Sequence, residues 1–189
     1  MTDLTHPGTG IVFMKVGTHA REPLPEIIDR KRQEIDEAGY ALWGYGGSTC
    51  HPLTSVQPFA RDFVERQGAI YLVMQPMASK HFAVPDRARE MSVDGVAWDE
   101  VPPAINVRGS RYAMAIDSLD EEELELPLGQ TRVAIGNSLG RRGDRYIRGR
   151  VDKGCLEVVT EPADPDEAPP LAIGLTARLV EPYAVLLKT

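Results

Sequence analysis

Cysteine is nearly absent from this chain: Cys50 and Cys155 are the only two in 189 residues. Without a Cys-x-x-Cys pair, neither a disulfide framework nor a structural zinc site is expected, and the cytoplasm is the expected setting. Long hydrophobic runs are missing too. No stretch approaches the roughly 20 apolar residues that a spanning helix needs, and Met1 to Gly10 lack the charged-then-apolar pattern of an export signal, so no membrane association is expected. Positive charge is outnumbered, with 21 Lys and Arg against 28 Asp and Glu, and the net charge of −7 argues against a general nucleic-acid coat. Lysine is scarce within that minority, since 16 of the 21 basic residues are arginine.

Several signatures of known chemistry are also missing. No Gly-x-x-x-x-Gly-Lys-Ser/Thr loop occurs, no Gly-x-Gly-x-x-Gly follows the first strand, and neither a Gly-x-Ser-x-Gly elbow nor a His-Glu-x-x-His helix appears. Walker-type hydrolysis, a Rossmann dinucleotide site and zinc-peptidase chemistry lose their usual support.

What is present reads as one domain covering residues 1–189, with 42% hydrophobic and 26% charged residues in ordinary globular proportion. Gly10 to Val16 is an apolar run suited to a strand buried on both faces. Leu24, Ile27, Ile28, Ile35 and Ala38 recur at helical spacing behind Pro25, with Glu26, Asp29, Arg30, Glu34 and Glu37 expected to face away. Tyr40 to Tyr45 is the second strand, and these three elements read as a parallel crossover. A second helix follows with Val56, Phe59, Ala60, Phe63 and Val64 on one face, Thr54 and Gln57 as a capping box and Pro58 in its first turn. Ala69 to Met74 is a third strand, and Gln75 to Glu90 a long loop.

From Met91 the pattern turns to strands, at 111–116, 131–135, 156–160, 171–180 and 183–187, with Glu181-Pro182 turning the last two into a hairpin. The proline-rich acidic segment between Thr160 and Leu171 is a surface loop. The expected class is α+β: an N-terminal β-α-β-α-β portion followed by mostly antiparallel strands, with a half-open barrel as a sub-option.

Two stretches point to chemistry. Trp43-Gly-Tyr-Gly-Gly-Ser-Thr-Cys-His51 runs from a strand through three glycines into a helix, a turn that lets backbone N–H groups approach an anion. Tyr45, Gly46, Gly47, Ser48 and Thr49 are its candidate ligand contacts. Tyr45 is a stacking surface there and Trp43 a core ring. Asn137 to Arg150 carries Arg141, Arg142, Arg145, Arg148 and Arg150 against Asp144, a local charge of +4, with Tyr146 as an aromatic among them. Arginine's planar fork suits phosphate. Arg108 and Arg111 form a smaller cluster that could complete a phosphate pocket with the glycine turn. The competing reading pairs the arginines with the acidic run from Asp117 to Glu125.

The leading expectation is therefore binding of a phosphate-bearing ligand, a nucleotide or a short nucleic acid. A second is a hydrolase, phosphodiesterase-like, or a group transferase with His51 as acid or base. The third is an interaction module whose opposite patches give a salt-sensitive homodimer. A metal cluster of His19, Cys50, His51 and His81, or a Cys50–His51 nucleophile pair, ranks below a buried cysteine and a histidine bonded to backbone. The residues imply no particular cofactor.

Overall fold

The computed structural model describes residues 4–46, 51–148, 151–162 and 164–189. Strand β1 (Gly10–Val16) is apolar along most of its length because both of its faces are covered. Val12, Met14 and Val16 point into the larger core, while Ile11 and Phe13 point into a second cluster on the opposite face. Helix α1 (Leu24–Ala38) follows, with a proline in its first turn and Gly39 ending it in the left-handed conformation at φ 81°. Next come β2 (Ala41–Gly44), helix α2 (Leu53–Gln67) and β3 (Tyr71–Pro76). The later elements are β4 (Glu90–Ser92), β5 (Asp99–Glu100), β6 (Tyr112–Ile116), β7 (Asp120–Leu126), β8 (Thr131–Val133), the short helix α3 (Gly143–Tyr146), β9 (Lys153–Val158) and β10 (Leu171–Lys188).

One mixed sheet runs in the order β2-β6-β10-β3-β1-β9-β8, with β4, β5 and β7 branching from it. Only β1 and β3 pair in parallel, Ile11 opposite Tyr71 and Val16 opposite Pro76; the other described ladders are antiparallel. The chain is thus α+β, as its hydrophobic periods indicate. The expected crossover is corrected, however. Strand β2 pairs with β6, and three strands separate it from β1. Followed across the antiparallel ladders, it runs opposite to β1, so the parallel pair is closed by the longer path through α1, β2 and α2.

Strand β10 organises the sheet. One edge pairs with β3 and then β4, and the other with β7 and then β6. The expected hairpin at Glu181-Pro182 is absent, because a register shift between Leu179 and Ala184 absorbs these residues within one strand. Proline has no N–H to place in a ladder, and a bulge removes the demand for one. Tyr183 sits there at φ 66°. The sheet curls enough for the Tyr45 hydroxyl, just past β2, to donate to the Phe13 carbonyl at 3.5 Å. Among the described residues no ladder joins the end strands β2 and β8, so the sheet is open.

Helix α2 lies against the concave core through Leu53, Val56, Phe59, Ala60 and Phe63. Burying each of its large apolar side chains contributes roughly 1.5 to 3 kcal/mol. The expected capping box is not formed: Pro52 occupies the N-cap and no side chain caps the helix. Gln57 instead donates to the carbonyls of Val93 and Ala184, at 3.2 and 2.6 Å. The helix starts at Leu53, which places Pro58 in the second turn rather than the first. No described helix is long and apolar enough to cross a membrane.

Candidate functional site

Glycine sets the shape of a cavity of about 360 Å³ between the end of β1, the end of β2 and the loop before β6. A Cβ on Gly17 would lie 2.5 Å from both the Met77 carbonyl and the Ser79 hydroxyl, and one on Gly44 would lie 2.5 Å from the Ser110 hydroxyl. One on Gly46 would come within 2.9 Å of the Arg111 N–H nitrogen. Such approaches exclude any side chain without movement of the wall, so these glycines let separate segments meet here.

Charge then concentrates on that wall. Lys15, Arg30, Lys31, Arg108 and Lys153 line it, and Asp152 is the only carboxylate among the described lining residues. Three of the chain's five lysines are therefore gathered at one cavity. Asp152 faces Lys153 at 3.0 Å. Arg30 is engaged by Glu22 at 2.5 Å and Glu34 at 2.7 Å, and Lys31 by Glu34 at 2.8 Å. Five cations against three carboxylates leave two positive charges in a protein of net −7.

Lys31 and Glu34 sit on α1 at 3% and 1% exposure, the reverse of the solvated face expected for Glu34. Burial holds the Lys31 ammonium down to a pKa of about 8, with Glu34 opposing that shift. For Arg30 the same burial is outweighed by its two carboxylates, and its pKa is raised. Both cations and Glu34 converge on one loop residue, Asn106. Its carbonyl accepts from Arg30 at 2.7 Å and Lys31 at 2.9 Å, and its N–H donates to Glu34 at 3.0 Å. Asn106 lines the cavity, and its side-chain oxygen is buried without a hydrogen-bond partner.

Two histidines stand at the same wall. His19 and His81 stack with ring centres 4.8 Å apart and planes within 6°. His19 Nε2 donates to the Arg108 carbonyl at 3.0 Å, and His81 Nδ1 accepts from the Ala20 N–H at 3.4 Å. Burial lowers the His19 pKa, in spite of the bond to Arg108. The shift favours the uncharged form of His19, which suits a ring stacked face to face on another imidazole.

No protein family, curated protein or solved structure matches the chain.

Of the residues singled out in the sequence, Gly44, Gly46 and Arg108 come together at this cavity. Arg108 shares the cavity wall with Gly44 and Gly46, its guanidinium donating to the Pro85 carbonyl at 2.8 Å. Arg111 is exposed and does not line the cavity. Tyr45 is fully buried, its ring 5.7 Å from that of Tyr112, so its stacking role gives way to a core role. Trp43, expected as a core ring, is both buried and part of the cavity wall. Gly47, Ser48 and Thr49 lie outside the described residues, as does Cys50.

The arginine segment lies apart from this cavity. Arg142 donates bidentately to Asp144, at 2.6 and 2.8 Å, and also to Asp164 of the proline-rich segment. Asp144 is pushed up by burial but pulled further down by Arg142 and the Ala168 N–H. Arg141, Arg145 and Arg148 are exposed, with Arg145 3.9 Å from Asp164. The acids that answer this segment are thus Asp144 and Asp164 rather than the run from Asp117 to Glu125. That run pairs elsewhere, Asp117 with Arg178 and Glu121 with Arg32.

His51 is 6% exposed and does not line the cavity. Its ring stacks on Tyr146 at 5.9 Å, so the end of the glycine turn and the arginine segment do meet, at this contact. Its Nε2 is buried without a partner, and burial lowers its pKa. His19 and His81 are together, but His51 is not with them, and no metal-holding cluster occurs among the described residues.

Sequence reasoning missed Lys15, Lys31 and Lys153, and grouped His19 and His81 with Cys50 and His51 rather than with these lysines. Each lysine is a single charge in an otherwise unremarked segment. The usable signal was the scarcity of lysine combined with its placement, one near the end of a buried strand and one at helical spacing with Ile27, Ile28 and Ile35.

Proposed function

We propose that this protein binds a phosphate-bearing ligand of nucleotide size in the cavity at the end of β1. The observation that supports the reading most is the gathering of three of five lysines with Arg30 and Arg108 around one concave wall. Opposite charge focused in a cleft raises the local concentration of an anion even when the whole molecule is negative. Lys15 has the clearest role, since no ion pair engages it among the described residues while it lines the cavity. A volume near 360 Å³ falls within the range usual for small-molecule sites and suits a nucleotide better than an extended nucleic acid. The two-cysteine composition favours a cytoplasmic location for this binding. A salt-sensitive homodimer has less support, because Arg142 already faces Asp144 and Asp164 within the chain.

Calorimetric titration with inorganic pyrophosphate and nucleoside monophosphates, at low and high salt, tests the reading. Binding should weaken as salt rises. Lys15→Gln should weaken it by about tenfold, as expected when one charge-assisted contact worth ~1.5 kcal/mol is lost. Arg141→Gln, in the exposed segment, should leave it unchanged. A folded protein that takes up no phosphate ligand at low salt would refute the proposal.

A further inference from the structure

A second cavity, of about 490 Å³, opens among β2, β4, β6 and β10 and shares only Leu42 with the first. Leu42, Ala115 and Val185, buried in the third apolar cluster, form its floor. Above them Tyr40, Met91, Val93, Val180 and Pro182 line it and stay partly or fully open to solvent. The bulge in β10 builds one wall. Successive strand residues ordinarily point to opposite faces, yet Val180, Glu181 and Pro182 all line the cavity, within the register shift between Leu179 and Ala184. An apolar hollow of this volume is of the size usual for small-molecule sites.

Its charge is the reverse of the first cavity's. Asp99, Asp117 and Glu181 line it, and no lysine, arginine or histidine does so among the described residues. Arg178 meets Asp117 at 2.5 Å and Arg61 meets Glu181 at 3.0 Å, both from outside the lining. Exposed Asp99 has no ion pair among the described residues, so three carboxylates against two guanidinium groups leave one negative charge. The ladder aims that charge. Asp99 stands directly opposite Met91 in the pairing of β4 with β5, and residues so placed carry their side chains on one face. Met91 is part of the cavity wall, so the carboxylate stands beside an apolar surface. Glu90 and Glu100 take the other face, where Lys188 meets Glu90 at 2.9 Å.

We propose that this second cavity binds a small organic monocation, an amine with an apolar body. The body covers Tyr40, Met91, Val93 and Val180, and the ammonium answers Asp99. A neutral apolar molecule leaves that carboxylate without a partner, and an anionic one meets three charges of its own sign. The site does not depend on the phosphate reading of the first cavity.

Hexylamine, 1-hexanol and hexanoate carry one chain with three different heads, and their titration at pH 7 into the full chain, followed by backbone amide NMR shifts, tests the proposal. Hexylamine should bind about fivefold more tightly than hexanol, the scale of one exposed ion pair, and hexanoate more weakly than either. Shifts should centre on 40–42, 91–93 and 180–182. Asp99→Asn, a near-isosteric change at an exposed position, should melt as the wild type does and bind hexylamine no better than hexanol. Equal affinity for amine and alcohol in the wild type would overturn the proposal, as would tighter binding of hexanoate. No shift at these stretches with any of the three would overturn it as well.

Discussion

Lys31 and Glu34 show why individual residues of the site were hard to read from sequence. On a helical wheel Lys31 falls among Ile27, Ile28 and Ile35 on the apolar face and Glu34 at its border beside Ile27, where charges read as interruptions of that face, and both are among the most buried side chains of α1. Hydrophobic periodicity marks where apolar groups face; it cannot tell a charge turned to solvent from a charge turned toward a partner in a distant loop. Arg108 was legible because it stands in a short cluster with Arg111, and Gly44 because three glycines crowd after an aromatic strand. Lys31 also makes a prediction about pH. Its folded-state pKa of about 8 lies below its ordinary value of 10.5. Between those values the unfolded chain holds a proton that the folded chain has released, so stability rises with pH across that window and is level below it. Arg30, which shares Glu34 and the Asn106 carbonyl with the amine, has its own pKa raised and keeps its charge across that window. Urea unfolding of the wild type should therefore show a gain from pH 8 to 10.5 that is missing in Lys31→Met, and equal slopes for the two proteins would contradict the burial of this ammonium.

Strand β7 shows what is gained and lost at the level of elements. The main apolar strands and both long helices were readable, since their periods of 2 and 3.6 are strong. Residues 120–126 were not: Asp-Glu-Glu-Glu-Leu-Glu-Leu carries too much charge to resemble a strand, yet it pairs with β10 from Asp120 opposite Thr176 to Leu126 opposite Leu171. Tertiary pairing overrides local preference here. Only β10 pairs with β7 among the described residues, so its other edge carries no strand. Carboxylates on an unpaired edge oppose its pairing with another chain by like-charge repulsion. This gives the acidic run a purpose other than docking a second copy. Glu123 and Glu125, both exposed, are the positions to test. Glu123→Val with Glu125→Val should self-associate in sedimentation velocity while the wild type does not. A double variant that stays at the wild-type sedimentation coefficient would remove the protective role.

At the scale of the whole molecule, the cavity exists because the curled sheet brings together segments far apart in the chain. Residues 15–19 run out of β1, 43–46 run out of β2, 77–81 begin the long loop, 106–110 precede β6 and 152–153 lead into β9. No window of sequence contains that set, which is why a search for dense local charge settled on Arg141 to Arg150 instead. The strand order was equally illegible, because alternation gives a strand's faces but not its neighbours. The central strands β1, β3 and β10 lie under cover on both faces, whereas described residues 77–89 form no helix or strand and join the sheet pattern through one isolated bridge, Arg87 with Arg108. Hydrogen exchange should accordingly be slowest at Val12, Leu72 and Ala177 and fast at Phe82 and Val84, whose side chains are exposed. Saturating pyrophosphate should slow exchange at 17–19, 79–81 and 108–110 together, because a ligand held by one wall stabilises all the segments that build it. Protection confined to the arginine segment around Arg141 to Arg148, with none at these three stretches, would move the site to the other end of the His51–Tyr146 contact.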